Sequence, residues 1–424
     1  MAEPAIAVQI DDALRQSSIR KFSSLSPCEV QPKLRLNRSQ TFLGLSFFTL
    51  CQQYLHVFTS FALEWSPDDF IFRELAFAII SLASGQIRFH SFPKRDCNPR
   101  YCLGWNCSNG PNGHPDGKGR VIIPDGTGGS NVLPKFGHGC HRPDEAPGAA
   151  PIETMYWFEG VLISLATSIH ESGIREDIIT RTVEFGVEQG KENFQAVIMS
   201  LFHLILVEVN VRDRRTTIKL TKTMRLSPIR RTDCLSTDPR NRPEAKPGDK
   251  FQGSKSLATL ASGVAYQSPE SFRQCFPGFV SLMNFFDTAM NRRAASRSPS
   301  RLPPEICYRI LECTDDTTYL ACAKVSENFR AYCLQNFRAG RWKIISEPWS
   351  GHTLRVWRRR YEVMAFTFVD RQTSEVIQLK VFPHDPVGYA GRYEHNWSPI
   401  VGSGREVILS DVSLNFEFLT SYSV

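Results

Sequence analysis

A group of cysteines and histidines between residues 97 and 141 has the side chains that bind metal ions. Its potential ligands are Cys97, Cys102, Cys107, His114, His138, Cys140 and His141. Four of them could form a tetrahedral zinc site. Structural zinc sites usually hold their ligands in close pairs, and three cysteines in a C-x4-C-x4-C series fit no such template. We therefore expect no bound metal, with zinc binding as the alternative.

Other signs of chemistry are weaker. The chain has no GxSxG nucleophile motif, no phosphate-binding P-loop and no HExxH metal motif. His170 and Glu171 follow an apolar stretch, where a histidine is more typical of a helix C-terminus than of a catalytic base. We expect a non-catalytic protein that needs no cofactor.

A basic segment between residues 212 and 253 raises the question of nucleic acid. Its cations are Arg212, Arg214, Arg215, Lys219, Lys222, Arg225, Arg230 and Arg231. Such a run can bind phosphate or act as a nuclear-import signal. No aromatic residues lie between these cations to stack on bases, and a net charge of +7 is small for 424 residues. We interpret the segment as a solvated linker and expect nucleic acid not to be a partner.

The composition predicts a globular protein with more than one folded unit. The chain is 42% hydrophobic and 22% charged. Its start lacks a signal peptide, and its twelve cysteines form no disulfide framework, so we expect a cytoplasmic or nuclear protein with reduced thiols. Residues 39–63 carry no Asp, Glu, Lys or Arg. Their polar residues fall on one helical face, which favours a buried amphipathic helix over a membrane span.

Hydrophobic periodicity predicts a mainly α-helical chain with a small β-rich C-terminal region. The predicted divisions are 1–38 (mostly irregular), 39–92 (two helices), 93–151 (a flexible Gly/Pro-rich insertion), 152–296 (helical, with the basic linker 212–253), 301–341 and 355–424 (β-rich).

Residues 152–210 carry most of the helical prediction. The stretches TMYWFEGVLISLATSIHES, REDIITRTVEFGVEQG and NFQAVIMSLFHLILVEVNV each suggest a helix. The second ends at Gly190, and the third is apolar enough to lie at the centre. Short connections suggest an array of helical hairpins, as in armadillo or HEAT proteins, although no exact repeat is visible.

The C-terminal region changes period. YEVMAFTFV and EVIQLKVF alternate in the manner of strands, and DRQTSE between them supplies turn residues. The sequence therefore predicts a β-hairpin here, followed by further strands in REVILSDVSLNFEFL.

The stretch RLPPEICYRILECTDDTTYLACAKVSENFRAYC, Arg301 to Cys333, predicts short helices with much apolar surface. Pro303 and Pro304 suit a helix start, and Glu305 suits its first turn. Two aspartates in TDDTT can end this helix and cap the next. A unit of about forty residues cannot bury all of these apolar side chains by itself. A neighbouring domain or a partner must cover them.

This stretch resembles an F-box. The family's pattern is matched without a gap by Leu302, Pro303, Glu305, Ile306, Ile310, Leu311, Ala323, Val325, Phe329 and Arg330. It departs at Thr314 and Tyr319, where leucine is usual, at Ser326, where cysteine is common, and at Phe329, where tryptophan is more frequent. With the preceding ESFRQCFPGF segment and the following GRWKI, the architecture is similar to F-box proteins of filamentous fungi.

The resemblance implies a three-helix F-box over residues 301–341 that docks on a Skp-family adaptor. The adaptor would link the chain to a cullin–RING (SCF-type) ubiquitin ligase, and the chain would recruit a protein substrate without supplying a catalytic group. The implied adaptor-binding residues are Leu302, Pro303, Glu305, Ile306, Ile310, Leu311, Ala323, Val325 and Phe329. The alternatives are an interaction scaffold with no ubiquitin role and a zinc-binding protein centred on residues 97–141.

Overall fold

The computed structural model describes residues 12–54, 58, 66–93, 149–213, 215–229, 268–296, 303–346, 348–356, 359–383, 395–402, 407–409, 412 and 414–418. The helices in these residues are α1 (Asp12–Ser24), α2 (Arg38–Gln53), α3 (Phe70–Ser84), α4 (Ile174–Glu188), α5 (Pro269–Cys275), α6 (Pro277–Ala295), α7 (Pro304–Glu312), α8 (Asp316–Cys322) and α9 (Glu327–Gln335).

The strands belong to two sheets. The first contains β1 (Pro27–Glu29), β3 (Met155–Phe158), β4 (Val161–Leu165), β5 (Asn193–Met199), β6 (His203–Arg212), β7 (Arg215–Leu220) and β8 (Met224–Arg225). The second contains β2 (Arg88–Pro93), β9 (Phe337–Ala339), β10 (Trp342–Ile344), β11 (Trp349–Val356), β12 (Arg359–Asp370), β13 (Val376–Pro383), β14 (His395–Val401), β15 (Val407–Ile408) and β16 (Leu414–Phe418).

The first sheet is mixed and has the order β1-β7-β6-β5-β4-β3, with β8 beside β6. The pairs β4–β5 and β1–β7 are parallel, and the other pairs are antiparallel. Helix α4 makes the crossover between β4 and β5, as a parallel pair requires. The predicted mainly α-helical fold class is therefore wrong: this is an α/β fold.

The error lies in the apolar runs of residues 152–210. Of the three predicted helices, only the middle one exists, as α4, and the others are the hairpins β3–β4 and β5–β6. In β5, Ala196 and Ile198 enter one buried cluster, and Val197 and Met199 enter another on the opposite face. A strand covered on both faces is apolar throughout, and periodicity alone cannot distinguish it from a buried helix.

Helices cover the first sheet on both sides. Residues from α1 and α4 pack on one face, and α3 and α6 contribute to the larger core that includes the other face. The start of the chain, predicted to be mostly irregular, thus holds helix α1 and strand β1. The start of the predicted linker 212–253 is β7 and β8, while residues 230–253 lie outside the described residues.

The second sheet is antiparallel and has the order β15-β14-β16-β13-β12-β10-β9, with β11 beside β12 and β2 beside β14. Strand β2, predicted as the end of a helix, joins a sheet made otherwise from the C-terminal third. The two edges of this sheet approach each other: the ring of Phe89 in β2 lies 6.2 Å from the ring of Phe337 in β9. Gly340 allows this approach: its φ is +60°, and a Cβ there would lie 3.2 Å from the carbonyl oxygen of Phe89.

Phe42 of α2 lies inside the curve of the second sheet. Its ring is fully buried. Aromatic rings from β2, β9, β12 and β14 surround it at centroid distances of 5.2–6.3 Å, namely Phe89, Phe337, Phe366, Phe368 and Trp397. Most of these contacts are edge-to-face, the geometry that aromatic pairs prefer. One side chain thus joins the N-terminal helices to the C-terminal strands.

The hairpin β12–β13 carries a buried carboxylate at its turn. Asp370 accepts hydrogen bonds from the backbone N–H of Gln372 at 2.8 Å and of Thr373 at 3.4 Å. The guanidinium of Arg341, from the β9–β10 turn, pairs with it. This hydrogen bond from Arg341 is the main reason that the pKa of Asp370 falls to about 2.

Among the described helices, none combines the length and the apolar character that crossing a membrane requires.

Replacing Phe42 with alanine should destabilise the whole molecule. The substitution removes a buried ring that contacts strands from both halves of the chain, and such changes cost about 3–5 kcal/mol. Chemical denaturation followed by tryptophan fluorescence measures the loss. The control is Leu14→Ala on α1, where the side chain is 64% exposed and the expected change is below about 0.5 kcal/mol. Similar losses for both variants would contradict the central role of Phe42.

Asp370 should make stability depend on pH in the acid range. Its pKa in the folded chain lies below the unfolded value of about 3.9. Its stabilising contribution is therefore present above about pH 4 and is lost as the pH falls towards about 2. We expect the stability difference between the native chain and Asp370→Asn, measured by urea unfolding, to narrow over this interval. The stability difference between the native chain and Arg341→Met should narrow over the same interval. Identical pH profiles for all three proteins would refute the stabilising role of the Arg341–Asp370 pair.

Candidate protein-interaction site

Three short helices, α7, α8 and α9, form a cluster at the position of the F-box-like stretch. Pro304 is the first residue of α7, where its missing N–H costs no helical hydrogen bond. The side chain of Asp315 accepts from the backbone N–H of Thr318 and caps α8. Ser326 caps α9 through the N–H of Phe329. Each helix start thus follows from a local residue choice.

The inner face of the cluster is a small apolar core. It consists of Leu311, Tyr319, Ala323 and Cys333, with Cys322, Phe329 and Tyr332 packed against it. Burial raises the pKa of the Cys333 thiol to about 12. Cys307 is also fully buried, and the cysteines of these helices are free thiols. Their positions fit a structural role as small core residues.

Ion pairs attach the cluster to the rest of the molecule. The buried guanidinium of Arg330 in α9 binds Asp287 of α6 and donates to the Asn291 side chain at 2.5 Å. Lys324 donates to Glu159, in the β3–β4 turn, at 2.6 Å. The cluster is therefore attached by side-chain contacts to α6 and to the β3–β4 turn of the first sheet.

Arg338 of β9 contacts the C-terminal end of α7 and the ring of Tyr319 in α8. Its guanidinium lies 3.6 Å from the ring centroid of Tyr319, within cation–π distance. It donates to the carbonyl oxygens of Leu311 at 2.6 Å and Thr314 at 2.8 Å. The Leu311 carbonyl oxygen also accepts from the backbone N–H and the hydroxyl of Thr314, at 3.1 and 2.7 Å, and the Thr314 carbonyl oxygen also accepts from Arg371 at 3.3 Å. Arg338 therefore adds a charged donor to the hydrogen bonds that already close the end of α7.

A carboxylate on the same helix ties α7 to α9 and to the second sheet. Glu312 accepts from the hydroxyl of Tyr332, and from the ammonium of Lys343 at 3.2 Å. Burial by itself raises the pKa of Glu312, but these two hydrogen bonds and the positive charges of Lys343 and Arg338 together outweigh it, so the pKa is lowered overall. Glu312 is therefore charged at neutral pH and strengthens the attachment of the cluster.

The outer face of the cluster exposes aliphatic side chains. Ile306 is 48% exposed, Ile310 is 43% exposed and Val325 is 41% exposed. The described residues contain seven large hydrophobic side chains that are at least 36% exposed, and three of them lie here. Single exposed apolar residues are common on proteins, but a group on one small unit is typical of an interaction site.

The residues implied by the F-box resemblance separate into two sets. Pro303, Glu305, Ile306, Ile310 and Val325 are exposed. Leu311 and Ala323 are buried inside the cluster, Phe329 is partly buried, and Leu302 lies outside the described residues. Within the described part, the exposed residues are available to a partner, whereas Leu311 and Ala323 hold the helices together.

Sequence patterns did not predict the residues that attach the cluster. Arg330 and Arg338 are both buried. Arg330 pairs with Asp287 of α6, and Arg338 stacks on Tyr319 of α8, so each partner belongs to a different element of the fold. Burial of an arginine depends on tertiary contacts, and composition or periodicity does not reveal it. Arg330 matched the F-box pattern, but that match carries no information about Asp287.

A cavity of about 70 Å³ lies between the cluster and the core of the molecule. Leu320 and Leu334 line it from the cluster, and Leu43, Met283 and Met290 line it from the core. The buried arginines at its wall are already paired with Asp287 and with helix carbonyls. The volume is enough for a few water molecules or one small group, and no unpaired charge selects a ligand.

The other chemical candidates gain no support. The cluster of cysteines and histidines at residues 97–141 lies outside the described residues. Within the described ranges, no three His, Cys, Asp or Glu side chains are grouped as a metal would need. His170 lies 3.8 Å from Glu171 and stacks on His203, with ring centroids 5.4 Å apart. This pair sits on the surface, beside no cavity that we find in the described chain.

Comparisons of the chain with models of known families, with curated proteins and with solved structures gave no match.

The contact of Arg338 with α7 can be tested by substitution. Arg338→Leu removes the stacking on Tyr319 and two hydrogen bonds from a buried charged donor to the carbonyls of Leu311 and Thr314. The expected loss of unfolding free energy is about 2–4 kcal/mol. Arg309→Leu on the exposed side of α7 is the matched control, with an expected change below about 0.5 kcal/mol. Urea denaturation measures both, and an equal effect would show that Arg338 does not hold the cluster.

Proposed function

We propose that this protein is an F-box-type adaptor subunit that docks on a Skp-family protein and recruits a protein substrate to a cullin–RING ubiquitin ligase. The observation that carries the proposal is the exposure of Ile306, Ile310 and Val325. These three side chains belong to the set that the F-box resemblance assigns to adaptor binding. The chain would act by holding a substrate near the ligase, and it would supply no catalytic group.

Helix α7 has two apolar stripes, and only one of them serves its own fold. Cys307 and Leu311, four residues apart, face the interior. Ile306 and Ile310 are also four residues apart, so they form a neighbouring stripe that faces solvent. A helix that packs only on its own protein has polar residues on its outer side. The outer stripe therefore supports docking of a second protein.

The attachment of the cluster supports the same function. Arg330 and Lys324 fix its inner side to α6 and to the β3–β4 turn, and Arg338 fixes it to β9 of the second sheet. An adaptor that binds the outer face would then have a defined position relative to both sheets. Such a fixed geometry raises the effective concentration of a bound substrate near the transfer site.

Polar substitution of the outer stripe of α7 and of Val325, between α8 and α9, should weaken adaptor binding. We expect Ile306→Gln/Ile310→Gln/Val325→Thr to reduce the affinity for a purified Skp-family protein about 100-fold, because each half-exposed side chain would lose about 1 kcal/mol of apolar burial. Titration calorimetry measures the affinity, and circular dichroism checks the fold.

The matched control changes three other exposed side chains in the same manner: Leu14→Gln, Ile152→Gln and Val376→Thr. It should bind the adaptor with native affinity. If the native chain does not bind any Skp-family protein, the ligase function is wrong. If native chain and outer-stripe variant bind equally, the docking face is misplaced. Binding of a different protein to the outer stripe alone would favour the scaffold function.

A further inference from the structure

One corner of the first sheet is not covered by a helix in the described part of the chain. Helix α6 lies over β6 as far as Glu208, where Arg292 of α6 donates to the Glu208 carboxylate at 2.9 Å. Beyond that point, the side chains of β6 and β7 on this face are polar and reach solvent. The opposite face of the same strands is apolar, because Val209 and Ile218 pack against the helices of the other side.

Two arginines face each other at this corner. Arg212 of β6 and Arg215 of β7 are direct register partners, and both are exposed. Like charges directly opposite each other across two strands destabilise a sheet. Neither arginine forms an ion pair with a carboxylate of the described residues, although the exposed Asp213 lies in the turn between them. An anionic partner would remove the repulsion.

A third cation extends the charge along β7. Lys219 lies on the same face as Arg215, because residues two and four apart in a strand share a face. Its register partner Glu208 is bound by Arg292 and by the Gln195 amide. Lys219 forms no ion pair within the described chain. Between the two cations, Thr217 is exposed, and its hydroxyl donates to the carbonyl oxygen of Asn210 at 3.2 Å, which leaves the hydroxyl oxygen able to accept.

The spacing of these cations suits an extended chain. Four residues of a strand span about 13 Å, so carboxylates at positions i and i+4 of an extended segment could reach Arg215 and Lys219. Nucleic-acid sites usually use more phosphate contacts than three cations provide, and they add aromatic stacking. No aromatic side chain lies on this face among the described residues of β6 and β7.

We propose that this corner, formed by Asn210, Arg212, Arg215, Thr217 and Lys219, binds an extended acidic segment of a protein. Under the proposed function, which this last step rests on, the segment would belong to the recruited substrate. The site lies on the first sheet and does not include the outer stripe of α7. Substrate and adaptor would therefore occupy different surfaces of one molecule.

The test uses the full chain and a fluorescent peptide with two aspartates four residues apart in a threonine-rich background. We expect Arg212→Gln/Arg215→Gln/Lys219→Gln to weaken peptide binding about tenfold, as measured by fluorescence anisotropy. Binding should also weaken as salt is raised, because exposed charges are screened. A peptide with asparagines in place of the aspartates should bind at least tenfold more weakly than the acidic peptide.

The control variant Arg20→Gln/Lys21→Gln/Arg309→Gln removes the same charge from exposed positions elsewhere and should retain native peptide affinity. Equal weakening in both variants, or equal binding of the asparagine peptide, would overturn the proposal. Preferential binding of a single-stranded oligonucleotide would overturn it in favour of nucleic acid. Adaptor binding should be unchanged in the corner variant, so a failure here differs from a failure of the docking face.

Discussion

The packing of Phe42 is the contact on which the rest of the structure depends. This single ring comes from the second helix of the chain and lies among rings from four strands of the second sheet, three of them in the C-terminal third. Strand β2 adds to the same connection, because it pairs with β14 across about three hundred residues of sequence. A C-terminal β-rich region therefore does not exist as a separate small unit. It is completed by Phe42 of α2 and by strand β2.

That shared core explains how the three-helix cluster can have two different faces. Its inner face is bonded to the rest of the molecule, since Arg330 binds α6 and Arg338 comes from the second sheet itself. Buried charges of this kind are costly unless they are fully bonded. Here they are bonded to Asp287 and to the carbonyls that end α7. The aliphatic side chains of the outer face are exposed to solvent.

The first sheet repeats this division between covered and uncovered surface. Apolar residues occupy both of its faces where helices lie on both sides, and polar residues appear at the point where α6 ends. Arg212 and Arg215 lie beyond that point. The molecule thus presents one apolar and one basic surface on separate elements, held in a fixed relation by the common core.

The sequence alone determined the features that depend on neighbouring residues. Pro304 and the aspartates of TDDTT marked the starts of α7 and α8, and the alternation around DRQTSE marked the β12–β13 hairpin, because caps and turns act within a few residues. Tertiary structure alone decided that residues 193–212 are strands, since burial on both faces erases the period. It also decided which side of α7 is free: Leu311 and Ile310 are adjacent and equally apolar, and only the packing of the core buries one and exposes the other.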